Sequence, residues 1–227
     1  MNLYVLVEGK RTEVKVYPAW LAILLPQVTR VKYQHQVVNN HYYLFSGQGY
    51  PALLNHLANT VEEVNRLAVF DYLVVCLDAD EVSVAERKQE VLNFIYKNKI
   101  VLNLKTELLV IVQNKCIETW FLGNAKIFKR NPQSLELRNY VDFYNVAKHD
   151  PEQMSRFGDF KTSAQFHEAY LKALFVERKM SYTKEKPTAV MEAAYLQQLQ
   201  NRILKTKHLA SFKTFIDFCD EVRERMS

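Results

Sequence analysis

The sequence predicts an α/β protein in which helices flank a small parallel sheet and a mostly helical extension follows at the C-terminal end. Short apolar runs alternate with segments of helical periodicity through the first part of the chain. Strand patterns stop near residue 125, and helical patterns take over. A length of 227 residues is enough for one α/β domain and a smaller appendage, so we predict a domain at 1–125 and a helical, basic extension at 126–227.

The first half is predicted to follow the order βαβαβαβ, with a short helix after the last strand. Its strands share short apolar runs and are predicted at residues 3–7, 41–45, 72–77 and 107–112. The helices between them are predicted at residues 12–25, 51–68 and 83–96. Pro26 ends the first helix because proline lacks the amide hydrogen and clashes with the preceding turn, whereas Pro51 suits the first turn of the second. The short helix contains Glu118 and Trp120.

The second half is predicted to be helical. Helical periodicity is present at residues 135–147, 163–176, 187–204 and 209–225. In the last of these segments, apolar residues recur at helical spacing and predict one buried stripe, formed by Leu209, Phe212, Ile216, Cys219 and Val222. The weakly patterned stretch at 149–161, which contains Gly158, is the predicted loop or junction.

Composition narrows the class of protein. With 48% hydrophobic and 24% charged residues, the chain is typical of packed globular proteins and not of disordered ones. The apolar stretch at 19–25 is too short to span a bilayer and no basic segment precedes the first strand, so we expect a cytoplasmic protein with no membrane partner. Three widely separated cysteines, Cys76, Cys116 and Cys219, indicate neither a disulfide framework nor a zinc ribbon and are expected to be buried.

The excess of positive charge lies in the second half of the chain. Residues 1–125 carry 12 Lys and Arg against 12 Asp and Glu, whereas residues 126–227 carry 18 against 13. The formal net charge of +5 favours a polyanionic partner such as nucleic acid, although such a charge is also common among proteins that bind none.

Three acidic residues follow two of the predicted strands. Glu8 comes directly after the first strand, and Asp78 and Asp80 come after the third. The carboxyl ends of parallel strands form the ligand crevice of an open α/β sheet, so we expect these acids to converge there. In an extended segment, the side chains of Asp78 and Asp80 would point to the same side. Crowded carboxylates repel one another unless they share a proton or a cation, and hard oxygen donors suit Mg²⁺ or Mn²⁺, so the sequence predicts a divalent-metal site.

Two further acids are candidate metal ligands. Glu13 lies one helical turn after Gly9 and can reach back towards the crevice, and Glu118 follows the fourth strand. Five acids suffice for two metals, which about 4 Å apart would stabilise both the entering and the leaving oxygen of an in-line displacement at phosphorus. Each acid also has a structural alternative, as a helix cap, a partner of the helix dipole or a solvated helix residue. Glu81 is left out because it is expected to begin the next helix.

The motifs around these acids resemble the paired signatures of the TOPRIM fold. The two motifs are Val7-Glu8-Gly9-Lys10-Arg11-Thr12-Glu13 and Leu77-Asp78-Ala79-Asp80. Together with the segment at 114–122, they look most like the OLD-type and related TOPRIM-like nucleases of bacterial phage-defence and mobile-element systems. The resemblance covers about residues 1–125 and implies a small parallel sheet with magnesium held between the two motifs.

The resemblance further implies a Mg²⁺-dependent nuclease that hydrolyses phosphodiester bonds of DNA or RNA. OLD-type enzymes are thought to use a lysine after the metal motifs, and Lys184, in the segment at 181–187, resembles it. Lys10, Lys115 and Lys186 are alternatives for contacting phosphate. OLD-type proteins also carry an ATPase domain, and this chain has no Gly-x-x-x-x-Gly-Lys-Ser/Thr loop, so an ATPase would be a separately encoded partner.

Two other functions stay open. The segment at 78–82 fits the Asp-x-Asp-x-Val/Thr motif of haloacid-dehalogenase-like phosphatases, in which Asp78 would be the nucleophile. That interpretation leaves Glu8 without a role. The third is a non-catalytic TOPRIM-like module that binds nucleic acid or an ATPase. DNA and RNA are both open as substrates, and no oligomeric state is predicted.

Overall fold

Five strands form one parallel sheet in the computed structural model, which describes residues 1–227. The strands are β1 (Leu3–Val7), β2 (Thr29–Arg30), β3 (His41–Ser46), β4 (Tyr72–Asp78) and β5 (Glu107–Gln113). Their order across the sheet is β2-β3-β1-β4-β5, which places β1 at the centre. The predicted fold class is confirmed. Only β2 was not predicted, because two residues are too few to produce an apolar run.

Burial explains the unbroken apolar sequence of the central strand. Every residue of β1 is buried, and Val5 lies opposite Leu44 of β3 and Val74 of β4. Helices cover a parallel sheet on both faces, so its strands need apolar side chains at consecutive positions instead of alternating ones. The register also pairs the carboxyl end of β1 with β4, since the main-chain N of Glu8 donates to the carbonyl of Cys76 at 2.9 Å.

Eight α-helices accompany the sheet. They are α1 (Glu13–Leu24), α2 (Ala52–Leu67), α3 (Val84–Lys97), α4 (Ile117–Phe121), α5 (Leu135–Phe143), α6 (Ser163–Glu177), α7 (Ala193–Lys205) and α8 (Ala210–Met226). Most bounds agree closely with the predicted ones. The helix predicted at 135–147 stops earlier because Tyr144 is extended, and the segment predicted at 187–204 is divided by the extended Glu192 into a 3-10 turn and α7.

The predicted buried residues are confirmed. All members of the apolar stripe of α8 are buried. The three cysteines are buried and form no disulfide. No helix combines the length and the apolar character that crossing a membrane requires.

The chain forms two compact units whose boundaries differ from the predicted one at residue 125. Unit one consists of Met1–Leu77, Val84–Val112 and Asp217–Ser227. Unit two consists of Asp78–Ser83 and Gln113–Ile216. The end of α8 belongs to unit one because it binds the sheet: Tyr72 Oη donates to Glu221 at 2.8 Å, and its ring contacts that of Phe218 with centroids 5.3 Å apart. Helical periodicity continues along the whole of α8, so the pattern alone cannot show this change of unit.

Unit two contains a cluster of aromatic rings. Tyr140 of α5 contacts Phe157 and Phe166 edge-on, with centroid distances of 5.6 and 5.1 Å. Phe157 lies in the stretch predicted as a loop or junction, which also contains a 3-10 turn and the fully buried Met154. Isolated side chains, such as Met154 and Phe157, pack this stretch against the rest of unit two. Because they do not recur at a regular spacing, the sequence shows no periodic pattern there.

Glu177, the last residue of α6, holds the chain segment that leads into α5. Its carboxylate accepts hydrogen bonds from the main-chain N of Gln133 and Ser134 at 2.8 and 2.7 Å. It also pairs with Lys129 at 2.7 Å. The hydrogen bond from Lys129 and those from the two amides lower the pKa of Glu177 to about 2.

The lowered pKa of Glu177 predicts a stability that depends on acid pH. A carboxyl group whose folded pKa is depressed stabilises the fold above its unfolded pKa, and this contribution is lost as the pH falls from about 4.5 towards 2. We therefore expect Glu177→Gln to lower the denaturant midpoint at pH 7 and to weaken its dependence on pH below 4.5. Glu192→Gln, at an exposed glutamate with no ion pair, is the control. An unaltered pH dependence in Glu177→Gln would contradict the prediction.

Candidate active site

Glu8 and Glu13 lie at the carboxyl end of β1, in unit one. Oε1 of Glu8 accepts a hydrogen bond from the main-chain N of Tyr50 at 3.1 Å, and its main-chain O accepts one from Gly49 at 2.9 Å. These bonds hold Glu8 against the loop between β3 and α2. Glu13 is the first residue of α1 and is 8% exposed. Its carboxylate folds back over Gly9, so that a Cβ at position 9 would overlap it.

This close approach predicts the effect of Gly9→Ala. The added methyl group should displace the Glu13 carboxylate and lower the free energy of unfolding by about 1 kcal/mol, as is usual for overpacking. In a Glu13→Ala background the same substitution should have almost no effect, because the overlapping group is absent. Denaturant unfolding of the wild type, both single variants and the double variant measures the difference. An equal loss in both backgrounds would show that position 9 is constrained by something else.

Asp78 and Asp80 flank the point where β4 ends. Asp78 is the last residue of the strand, and Asp80 has a φ of 53°, in the left-handed region. The extended Asp-x-Asp expected from the sequence is therefore not observed. Ala79 is fully buried and donates from its main-chain N to the carbonyl of Gln113, while Asp80 donates to that of Lys115, whose φ is 66°. Left-handed backbone at a residue other than glycine costs roughly 1 kcal/mol or more, and such strain concentrates at functional sites.

Glu118 is a buried carboxylate in α4, with only 1% of its surface exposed. Tyr182 Oη donates to its Oε1 at 2.8 Å. Nζ of Lys184 lies 3.6 Å from the same oxygen. A carboxylate is costly to bury without hydrogen bonds and a counter-charge, and these two residues supply both. Glu118 and Lys184, selected independently from the sequence, are therefore partners in unit two.

Lys184 lies among several carboxylates of unit two. Its Nζ is also 3.3 Å from Glu168, and 34% of the side chain is exposed. Burial acts to lower the pKa of Lys184, but the charges of Glu118, Glu168 and Asp78 raise it overall. Burial acts to raise the pKa of Glu168, whereas Lys172 and Lys184 lower it overall. The Lys184 ammonium group is thus a permanent positive charge that remains partly accessible to solvent.

A buried chain of hydrogen bonds lies beside Glu118. His167 Nε2 lies 3.1 Å from the carbonyl of Met154, which can only accept, so Nε2 carries the proton. Nδ1 therefore accepts from the hydroxyl of Thr119 at 2.7 Å, and the thiol of Cys116 donates to that hydroxyl at 3.6 Å. Burial lowers the pKa of His167 to about 4, and burial together with the charges of Glu118 and Asp78 raises that of Cys116. Both side chains are buried, and both are neutral at pH 7.

The structure brings part of the predicted set together. Glu118 and Lys184 lie 3.6 Å apart in unit two, which also contains Asp78 and Asp80. The alternative lysines Lys10 and Lys186 are exposed and form no ion pair.

Three participants were not identified from the sequence. Glu168 follows His167 in α6, but neighbouring helix positions point in different directions, so Glu168 contacts Lys184 while His167 is buried. Tyr182 was noted only as part of the segment that contains Lys184. Glu81 was expected to begin the next helix, but α3 starts at Val84. Its carboxylate instead accepts hydrogen bonds from the main-chain N and the hydroxyl of Ser163 at 2.6 and 3.1 Å, at the start of α6.

The predicted metal site and the predicted family stay predictions. Among residues 1–227, no group of three or more His, Cys, Asp and Glu side chains is already arranged to hold a metal ion. Comparisons with protein-family models, curated proteins and solved structures found no match to this chain.

Proposed function

We propose that this protein is a Mg²⁺-dependent nuclease that hydrolyses phosphodiester bonds of DNA or RNA. The observation that carries the proposal is the buried carboxylate of Glu118 beside the partly exposed Lys184, 3.6 Å apart in space and far apart in the sequence. Asp78 and Asp80, at the end of β4, belong to the same unit. A buried acid beside a lysine that solvent can reach is a candidate for a functional site.

The residues fit a hard divalent cation in their donor chemistry. In unit two, Asp78, Asp80 and Glu118 offer carboxylate oxygens that suit Mg²⁺ or Mn²⁺, and Glu8 and Glu13 offer the same donors in unit one. When bound, the ion supplies Lewis-acid stabilisation of charge on the phosphate oxygens. Lys184 supplies a fixed positive charge for the same purpose from the protein side. Its accessibility to solvent allows a phosphate group to approach it.

Cleavage assays with the full chain test the proposal. We expect degradation of at least one of single-stranded DNA, double-stranded DNA and RNA with Mg²⁺ or Mn²⁺, and complete inhibition by EDTA. Calorimetry with the metal alone should show uptake of the same ion. Intact substrates under all of these conditions would reject the nuclease.

The resemblance to OLD-type proteins extends the proposal to a biological role. We place the protein in the cytoplasm as an effector of a phage-defence or mobile-element system, with a separately encoded ATPase as its partner. The third candidate, a non-catalytic module, would bind nucleic acid or the ATPase without cleaving nucleic acid.

A phosphatase is the second candidate, because residues 78–82 fit the Asp-x-Asp-x-Val/Thr motif in which Asp78 would be the nucleophile. Beryllium fluoride mimics an aspartyl-phosphate and would be trapped on Asp78 by such a phosphatase. A metal-dependent nuclease forms no covalent intermediate and should not trap it.

A further inference from the structure

A pocket in unit two is lined by positive, polar and apolar groups without any carboxylate. Its volume is about 420 Å³, within the range of small-ligand sites, and it lies between the segment before α5 and the segment after it. The lining residues are Phe128, Arg130, Val141, Asn145, Ala147 and Lys148.

The two cations of the pocket form no ion pair. Arg130 and Lys148 are exposed, and neither side chain has an acidic partner. The contrast with the adjacent Lys129 is informative, because that residue pairs with Glu177 at 2.7 Å. Two positive charges at one concave surface attract an anion, and no carboxylate is among the residues that line the pocket.

Hydrogen bonds hold both walls of the pocket in place. The guanidinium of Arg178 donates to the carbonyls of Ile127 and Lys126, each at 3.0 Å, and to that of Phe128, so the first wall is fixed to α6. On the second wall, Oδ1 of Asn145 accepts from the main-chain N of Ala147 and Lys148 at 3.1 and 3.3 Å. Walls held in this way reduce the loss of conformational entropy when a ligand binds.

We propose that this pocket binds one nucleotide unit, with Arg130 and Lys148 on its phosphate and the half-buried ring of Phe128 against its base. The inference rests on the proposed function in one respect: a nuclease would present the nucleotide as part of a single strand. The two cations favour a ligand that carries a phosphate group. The aromatic ring favours a ligand with a planar base over a bare inorganic anion. A single-stranded nucleic acid and a free mononucleotide share this chemistry.

The test measures binding of a fluorescent single-stranded oligonucleotide to the full chain in EDTA, where cleavage cannot occur. Arg130→Ala/Lys148→Ala should make the slope of log affinity against log salt less steep by about 0.7, because both residues contact one phosphate and each neutralised phosphate of a single strand contributes about 0.7. Phe128→Ala should weaken binding about tenfold without changing the slope, since stacking releases no counterions. Lys205→Ala/Lys207→Ala removes the same charge from exposed, unpaired lysines elsewhere in unit two and is the control.

Equal effects of the two double variants would overturn the proposal, as would a wild type that does not bind. Competition by adenosine monophosphate distinguishes the two sources: displacement that depends on Arg130 and Lys148 shows that a free nucleotide suffices, and its absence shows that the strand is needed. Both results support the pocket. Binding that depends on the pocket, with no cleavage in Mg²⁺ or Mn²⁺, would reject the nuclease and leave the pocket standing.

Discussion

Asp78→Asn is expected to abolish nucleic-acid cleavage while leaving the fold intact. The substitution keeps the size of the side chain and removes the negative charge at the last position of β4. Loss of residues that only support metal ligands typically lowers metal affinity or activity 10- to 100-fold, so loss of a direct ligand should exceed about 100-fold. Glu8→Gln tests the predicted metal ligand of unit one in the same assays, and we expect a loss of the same order.

Three measurements make this result interpretable. Cleavage rate and Mg²⁺ uptake by calorimetry should fall together in Asp78→Asn and in Glu8→Gln. The denaturant midpoint should stay near that of the wild type, because neither substitution changes side-chain volume. Asp159→Asn, at an exposed aspartate without an ion pair, should leave all three quantities unchanged. Full cleavage in Asp78→Asn would remove the central residue of the proposal.

Lys184→Met is expected to lower the cleavage rate about 100- to 1000-fold, the range observed when one preorganised stabilising donor is removed from an active site. It should also lower the free energy of unfolding by about 1 kcal/mol, because Glu118 stays buried without its counter-charge. The partial exposure of Lys184 keeps this second effect small, since solvent screens the pair.

A double-variant cycle separates the two roles of Lys184. In Glu118→Gln, the amide oxygen can still accept from Tyr182, and no buried charge needs a cation. In that background, Lys184→Met should therefore lower the free energy of unfolding by about 1 kcal/mol less than it does in the wild type. The activity should remain low in the double variant, because the charge at position 184 is still missing.

Lys172→Met is the control for removing a lysine near the same acids. Lys172 pairs with Glu168 on α6, and 45% of its side chain is exposed. It should change stability by less than about 0.5 kcal/mol and leave the cleavage rate unchanged. A rate in Lys184→Met equal to that of this control would show that Lys184 serves stability alone.

Much of the fold could be predicted because strands and helices depend on local patterns. The continuous apolar runs of β1 and β4 predict buried parallel strands, and the structure shows both runs buried. Two features of the fold depart from the local pattern. The backbone of Asp80 is left-handed instead of extended, and the end of α8 binds Tyr72 of the sheet instead of belonging to a separate extension.

The candidate site was only partly predictable for the same reason. Glu8, Asp78 and Asp80 could be selected because each stands where a strand ends, a position visible in the sequence. The partners of Lys184 could not, since its approach to Glu118 and Glu168 depends on how α4, α6 and the segment before α7 pack.

Local patterns were enough to predict the α/β class and the positions of most strands and helices, because the periodicity of apolar side chains repeats within a few residues. The acids at the strand ends followed from those positions. Packing in three dimensions sets which residues form each unit, buries Glu118 against Tyr182 and Lys184, and brings Arg130 and Lys148 to one pocket. Those contacts join residues distant along the chain, and packing of whole elements, not local spacing, sets which of them meet.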